Sequence, residues 1–418
     1  MLRINRKSII FLMLISMFGW YVVPSIGIRL EHLVIYSLLV FLSVTNNLSL
    51  KNDAVIFLIV TCLLVNVFVP LIGFCLYDKV LTSTLAISQF ENYSQMLSIV
   101  LIVFSSFRAS DYNQVKGYFH YLIKVFIILM ALHTFISIGM LLFPTFNFWN
   151  AFTGNSFITE LPTEVNMTAA QLARSAGRSS GIFTQIFEAG YAYAIALVSW
   201  VYLYNALSKF IKFQNIVLYL IIIGGFISYS KVFLVLGLVS FVFLANKTFL
   251  LKVVSVLFIC LFVPFLLNIE IGVFNKGLIY FKRLIFIDSG HSLIDVYTSG
   301  RFSDESIILK NMGDIFLNSP LIGYGYGSIK TSDFSLYEVL SLGGVVGILM
   351  YFILFLLLFF SCFLIKDRDI KKYYFCIVGI TLVSSLSAPV ISANRVSVIF
   401  WIISATIITL GSTQTKNL

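Results

Sequence analysis

Runs of apolar residues long enough to cross a hydrocarbon core alternate along this chain with short polar joints, and two of the joints are long. A core about 30 Å thick needs about 20 mostly apolar residues per helix. On that measure the chain predicts about twelve transmembrane helices, at 8–25, 33–50, 54–77, 95–107, 120–143, 189–206, 215–229, 231–246, 252–273, 336–364, 373–390 and 396–411. The fourth is short and the seventh and eighth nearly abut, so eleven or thirteen spans fit the pattern almost as well. No Pro/Ser-rich linker or charge block divides the sequence, which predicts one all-α, polytopic integral domain over 1–418. Two large polar loops interrupt it, at 143–188 and 275–336, and function is sought there.

Composition narrows the class. Of the 418 residues, 59% are hydrophobic and 11% charged, with a mean hydropathy of +0.99, more apolar surface than a soluble enzyme carries. The net charge of +10 would suggest nucleic acid in a soluble protein, but topology accounts for it here, so no nucleic-acid partner is expected. With the N-terminus in the cytoplasm, Lys51, Arg108, Lys116, Lys209, Lys212, Lys247, Lys252, Lys366, Arg368, Lys371, Lys372 and Lys416 share its side, as the positive-inside rule requires. Both termini are then cytoplasmic and both large loops face outward. The first span lacks a cleavage pattern and is read as a retained anchor. The five cysteines lie in apolar segments without metal-ligand spacing, and His32, His120 and His133 sit at or inside spans without paired carboxylates. No metal and no cofactor is expected.

In the first loop, Gln171, Arg174 and Arg178 fall at helical spacing on one face, with Gly177 and Gly181 expected to break the helix before the next span. Spacing alone leaves two roles open for the arginines, contact with lipid headgroups or capture of an anionic group at the membrane surface. The guanidinium suits phosphate because its planar fork donates two hydrogen bonds and keeps its charge. In the second loop, Ile307, Ile308, Asn311 and Ile315 follow a helical period that places Arg301 near a helix start, and Asn318-Ser319-Pro320 stops the helix. The run Gly323-Tyr324-Gly325-Tyr326-Gly327 lacks the lysine and Ser/Thr of a nucleotide loop and reads as a tight turn with close backbone approach. Asp333 and Tyr337 follow at the mouth of the tenth span.

Taken in order, these segments resemble the Wzy-type O-antigen polymerases, in the wider group that includes O-antigen ligases. The resemblance lies in R-S-S-G-I-F-T-Q-I-F-E-A-G (Arg178–Gly190), S-Y-S-K (Ser228–Lys231), R-F before a helix (Arg301 onward), N-S-P-L-I-G-Y-G-Y-G, and D-x-x-x-Y-x-x-x-x-L-G-G-V-V-G leading into a long span. It implies a GT-C-like membrane glycosyltransferase of the bacterial inner membrane. Such an enzyme works in surface polysaccharide (lipopolysaccharide) biosynthesis, joining repeat units carried on undecaprenyl diphosphate at the periplasmic face. The implied partners are those lipid-linked oligosaccharides, membrane lipid and a chain-length regulator. Residue by residue, the resemblance implies Arg178 and Arg301 as diphosphate ligands, with Arg174, Lys231 and Arg395 behind them. Asp333 and then Glu188 are the implied carboxylates that orient or deprotonate the acceptor hydroxyl.

Tyr324, Tyr326 and Tyr337 are candidates for stacking on sugar faces, although aromatics at a membrane boundary commonly anchor it. Arg395 is alone at the outer start of the last span, where orientation by itself suffices to explain it. Two departures stand out. Lys231 occupies the place where many relatives carry arginine, keeping the charge without the fork. Asp333 stands where ligases of the group place a histidine, which favours polymerase over ligase. A transporter or lipid-carrier flippase is the rival from another class. Transporters commonly place ionisable or helix-breaking residues near mid-membrane, often in two similar halves, whereas here the spans are poor in buried charge and the charged residues collect in the two outer loops.

Overall fold

The computed structural model describes residues 5–24, 27–45, 47–50, 53–77, 79–143, 146–153, 169–207, 209–245, 250, 307–329, 334–386, 388–392 and 394–414. Over these residues the regular structure is helical apart from one small hairpin. The helices are α1 (Arg6–Ser16), α2 (Leu30–Val44), α3 (Ala54–Leu76), α4 (Ser83–Phe107), α5 (Tyr112–Leu142) and the single turn α6 (Asn150–Thr153). After them come α7 (Ala169–Ser175), α8 (Ile186–Leu207), α9 (Gln214–Ser228), a π-helical turn (Val232–Gly237) running into α10 (Leu238–Leu244), α11 (Ile307–Asn318), α12 (Ser335–Leu364), α13 (Arg368–Ser385) and α14 (Asn394–Gln414). The hairpin pairs β1 (Tyr21–Val23) antiparallel with β2 (Ile28–Arg29).

This is the architecture of an α-helical membrane protein. Among the described residues, α3, α5, α8, α12 and α14 are long and apolar enough to cross a membrane, and α2, α9 and the π turn with α10 are shorter apolar helices. Phe57, Phe68, Leu356 and Phe363 each leave more than half their surface uncovered, a face that only lipid solvates comfortably.

Two expected spans take another form, and one falls outside the described residues. The span expected at 8–25 is an 11-residue helix followed by the hairpin, because Gly19, Pro24 and Gly27 interrupt the helical run. The short span expected at 95–107 is the 25-residue α4, capped at Thr82, whose hydroxyl accepts from Leu85 N. Hydropathy misses its first half because Gln89, Glu91, Tyr93 and Gln95 are polar, yet these side chains are buried or nearly so. The span expected at 252–273 lies outside the described residues, as does most of the second loop.

The chain divides into two compact units, one formed by Met1–Phe126 with Gly290–Leu418 and the other by Ile127–Ser289. In the first, α12 packs along α3, and α14 packs on α4 with its apolar window wholly buried. Polar groups collect at the two ends of this unit. At one end Arg6 Nη1 donates to Ser110 Oγ at 2.6 Å, Lys116 Nζ meets Asp367 Oδ2 at 2.7 Å, and Lys366 N donates to Gln414 Oε1 at 2.8 Å. The other end holds the hairpin and the starts of α2, α4, α12 and α14, tied together through Arg395 and Gly19, Gln89 and Gly327, and Ser335 and Ala388. In the second unit, α8 is packed on α9, the π turn and α10, and most of its length is buried.

Candidate functional site

Within the second unit, the two motif segments before and after α8 and α9 meet. Helix α7 ends in a Schellman arrangement: Arg178 N bonds to Ala173 O at 3.0 Å and Gly177 N to Arg174 O at 2.9 Å, with Gly177 at φ 76. Arg174 therefore lies in the last helical turn while Arg178 lies beyond it, so the two do not share the helical face that their spacing suggested. Arg174 is 3% exposed, and burial lowers its guanidinium below the ordinary value. Arginine's margin keeps it charged at neutral pH.

Arg178 is half-buried and donates through Nη2 to Tyr229 O at 3.3 Å, and the next residue's amide, Ser179 N, bonds to Ile227 O at 3.1 Å. Tyr229 has φ 46, a left-handed conformation that ends α9 and separates it from the π turn. Its neighbour Ser230 packs so closely on Gly190 that a Cβ there would lie 2.1 Å from the serine Cβ. Gly190 sits in the early turns of α8, just past Glu188, and Lys231 opens the π turn. Glu188 is 2% exposed and accepts from Thr184 N at 3.2 Å, which places a carboxylate at the positive end of α8. Arg178, Glu188 and Lys231 thus belong to segments held together by Tyr229 and Ser230.

His133, on α5, holds the middle of the Arg178–Gly190 segment. Ile182 N donates to its Nε2 at 3.1 Å, and its Nδ1 lies 2.9 Å from Tyr193 Oη. The sequence shows this histidine only as a residue inside a span; its contacts join segments far apart in the chain.

In the first unit, Arg301 and Asp333 fall outside the described residues. The glycine-tyrosine run is a turn of backbone against backbone: Gly323, Gly325 and Gly327 have φ 67, 82 and 81, and a Cβ on Gly325 would lie 2.0 Å from Phe74 N. Tyr326, 2% exposed, meets Phe90 and Tyr93 edge-on and donates to Val67 O at 3.0 Å, so its ring has no open face. Tyr337 is buried and accepts from Asn311 Nδ2 at 3.1 Å. Tyr324 stays partly exposed, beside Tyr77 and with Lys79 Nζ 5.6 Å from its ring centre.

Arg395 is wholly buried. Its Nη2 donates to Gly19 O at 2.7 Å and its Nε lies 3.8 Å from Glu31 Oε1, which also meets Arg29 Nε at 3.0 Å. Both guanidiniums face the Tyr21 ring. Arg29 Nη2 is 3.1 Å from His32 Nε2, whose Nδ1 lies 3.5 Å from Glu91 Oε2. His32 therefore does have a carboxylate partner, contrary to the expectation from sequence, because α4 begins earlier than hydropathy indicates and brings Glu91 to it. Another buried carboxyl, Glu338 in the first turn of α12, takes Tyr93 Oη at 3.3 Å and Ser392 Oγ at 3.4 Å. The available signal for both clusters was acids beside or within apolar runs, at Glu31, Glu91 and Glu338.

Among the described residues no group of three His, Cys, Asp or Glu side chains is placed to hold a metal ion. A cavity of about 430 Å³ opens between Lys209 and Ile216, at the opposite end of α9 from Tyr229. The chain matches no protein-family model and no curated protein.

Proposed function

We propose that this protein is a Wzy-type polysaccharide polymerase, a metal-independent glycosyltransferase that joins undecaprenyl-diphosphate-linked repeat units on the periplasmic face of the bacterial inner membrane. The observation that carries the reading is the meeting of the two motif segments in the second unit, where Arg178 bonds to Tyr229 O and Gly190 packs on Ser230. In the reaction, the bond from the anomeric carbon to the diphosphate oxygen breaks and a bond to an acceptor hydroxyl forms, the hydroxyl proton leaving to a base. Negative charge grows on the departing lipid diphosphate. A fixed cation about 4 Å from that charge contributes roughly 4 kcal/mol at an effective dielectric near 20, before desolvation.

Arg178 is the first ligand in this scheme, with Arg174 and Lys231 near it in sequence or structure, and Arg301 is the second. Asp333 is the proposed base for the acceptor hydroxyl. Glu188, committed to the start of α8, serves better to fix that helix. Tyr324 is the tyrosine with surface to offer a sugar, and Arg395, engaged by Gly19 and Glu31, is left to hold the fold. The cytoplasmic placement of the termini draws support from the first unit, where Arg6, Arg108, Lys116, Lys366, Arg368, Lys371 and Lys372 belong to the end opposite the hairpin.

The test is a deletion strain, which makes lipid-linked or core-linked single repeats and no ladder of longer chains. A normal ladder in that strain refutes the polymerase, and long chains that form without being attached to lipid A core identify a ligase instead.

A further inference from the structure

We propose that His133 is the positioning residue of the loop that carries Arg178, acting as a neutral hydrogen-bond acceptor at the end of a directed side-chain relay. The direction of the relay follows from its partners. A backbone N–H can only donate, so Ile182 N, 3.1 Å from Nε2, fixes that nitrogen as the acceptor and leaves the ring proton on Nδ1. Nδ1 then donates to Tyr193 Oη at 2.9 Å. Thr134 Oγ1 gives its own proton to Leu220 O at 2.8 Å, so it receives from Tyr193 Oη, 3.1 Å away. The relay runs from the loop amide through the imidazole, the phenol and the threonine to the backbone of α9.

Both ends of that relay bear on Arg178. Leu220 and Tyr229 belong to the same helix and its cap, and Tyr229 O is the oxygen that Arg178 holds. At the other end, Gly181 has φ 57 and approaches the imidazole so closely that a Cβ would lie 2.1 Å from Nε2. The loop therefore reaches His133 only because residue 181 has no side chain. Phe183 completes the seat by packing edge-on to the ring, centroids 5.0 Å apart. His133, Thr134 and Tyr193 are all wholly buried, so no exposed water competes for these bonds.

The proposal rests on the polymerase reading for its catalytic consequence and on geometry alone for its structural one, and two readouts separate them. Hydrogen exchange of the purified full-length protein reports whether the loop is held, and the polysaccharide ladder reports whether holding it matters. His133→Leu removes the acceptor, whereas His133→Gln keeps an oxygen near the Nε2 position. We expect His133→Leu to lose amide protection in peptides spanning 179–185, while peptides from the cores of α5 and α8 keep theirs, and to reduce long-chain polymer by up to about 100-fold at unchanged protein level. His133→Gln recovers most of both.

Unchanged protection at 179–185 in His133→Leu overturns the proposal whatever the ladder does. Lost protection with a full ladder overturns the positioning role but leaves the polymerase standing. Loss of protection throughout the protein in both variants assigns His133 to global folding and likewise overturns it. A ladder that survives deletion of the whole protein sinks the polymerase reading, and the exchange measurement still decides whether His133 seats the loop.

Discussion

The Arg178 guanidinium donates to the carbonyl oxygen of Tyr229 at 3.3 Å, and Tyr229 is the one non-glycine residue with positive φ among those described. The bond ties the residue after a Schellman helix end to the residue that breaks α9 before the π turn. A cation at this position is held by backbone geometry at both ends, the arrangement that preorganised charge stabilisation calls for.

Replacing Arg178 tests that arrangement. Arg178→Ala is expected to lower polymer formation by about 100-fold to 1000-fold, the range for removing a preorganised donor from a developing anion. Arg178→Lys keeps the charge and loses the planar fork, so it should fall between the two. The ladder, read at matched protein level, decides, and full activity in Arg178→Ala would remove this residue from the site.

Much of the helical layout was legible because α3 and α12 are apolar along nearly all their length and α5 is so from Val125 onward, its polar first turns being why the helix starts at Tyr112 and not at 120. Where polar side chains are buried, hydropathy fails: Gln89, Glu91 and Tyr93 hide the first turns of α4, and only tertiary partners such as Gly327 N and Glu338 explain them. Motif order drew attention to Arg178 and Ser228–Lys231, but their contact depends on a left-handed residue at 229, and tyrosine does not advertise that conformation. The cluster of Arg29, Glu31, His32, Glu91 and Arg395 showed in the sequence only as charges beside or within apolar runs, for a different reason. Its members come from β2, α2, α4 and α14, and no local pattern relates such distant positions.

Gly325 should be intolerant of any side chain. It has φ 82, and a Cβ would lie 2.0 Å from Phe74 N and 2.5 Å from Pro70 O, backbone atoms of α3 that cannot swing aside. Gly325→Ala therefore combines left-handed strain with a displaced helix and should cost at least about 2 kcal/mol. Gly117→Ala, with nothing within 4 Å of the new Cβ, should be neutral or gain about 0.5–1 kcal/mol from helix propensity. Thermal melting of the two variants in the same detergent gives the comparison, and equal melting temperatures would contradict it.

The pair between Lys116 and Asp367 should make stability depend on acid pH. Burial by itself would raise the Asp367 carboxyl, but the Lys116 hydrogen bond and the amides of Ile370 and Asp369 outweigh it, and the group titrates below its ordinary value of 3.8. A carboxyl depressed in the folded state stabilises above its unfolded value, and that contribution disappears as pH falls through the folded one. Asp367→Asn isolates the charge, since asparagine also caps a helix well. At neutral pH the variant should be less stable by up to about 1 kcal/mol, as expected for a partly exposed pair. The two proteins should converge as the pH is lowered from about 4 towards the folded carboxyl's titration, and a gap that stays constant with pH would assign the difference to capping instead.

Glu31 is the anion between two buried guanidiniums, 3.0 Å from Arg29 Nε and 3.8 Å from Arg395 Nε, with both side chains of the closer pair at most 1% exposed. Removing one member of such a set leaves a buried charge without its counter-charge, typically a cost of about 3–5 kcal/mol. Glu31→Gln leaves the Arg29 and Arg395 cations with Glu91 as the remaining carboxyl near Arg29, whereas after Arg395→Met Arg29 still answers Glu31. Glu31→Gln is thus expected to melt well below Arg395→Met, and the double variant, with one cation fewer than Glu31→Gln, should recover part of the loss. Strict additivity of the two changes would show that Arg395 and Glu31 do not couple. In that case Arg395 would have to be reconsidered as a ligand for substrate.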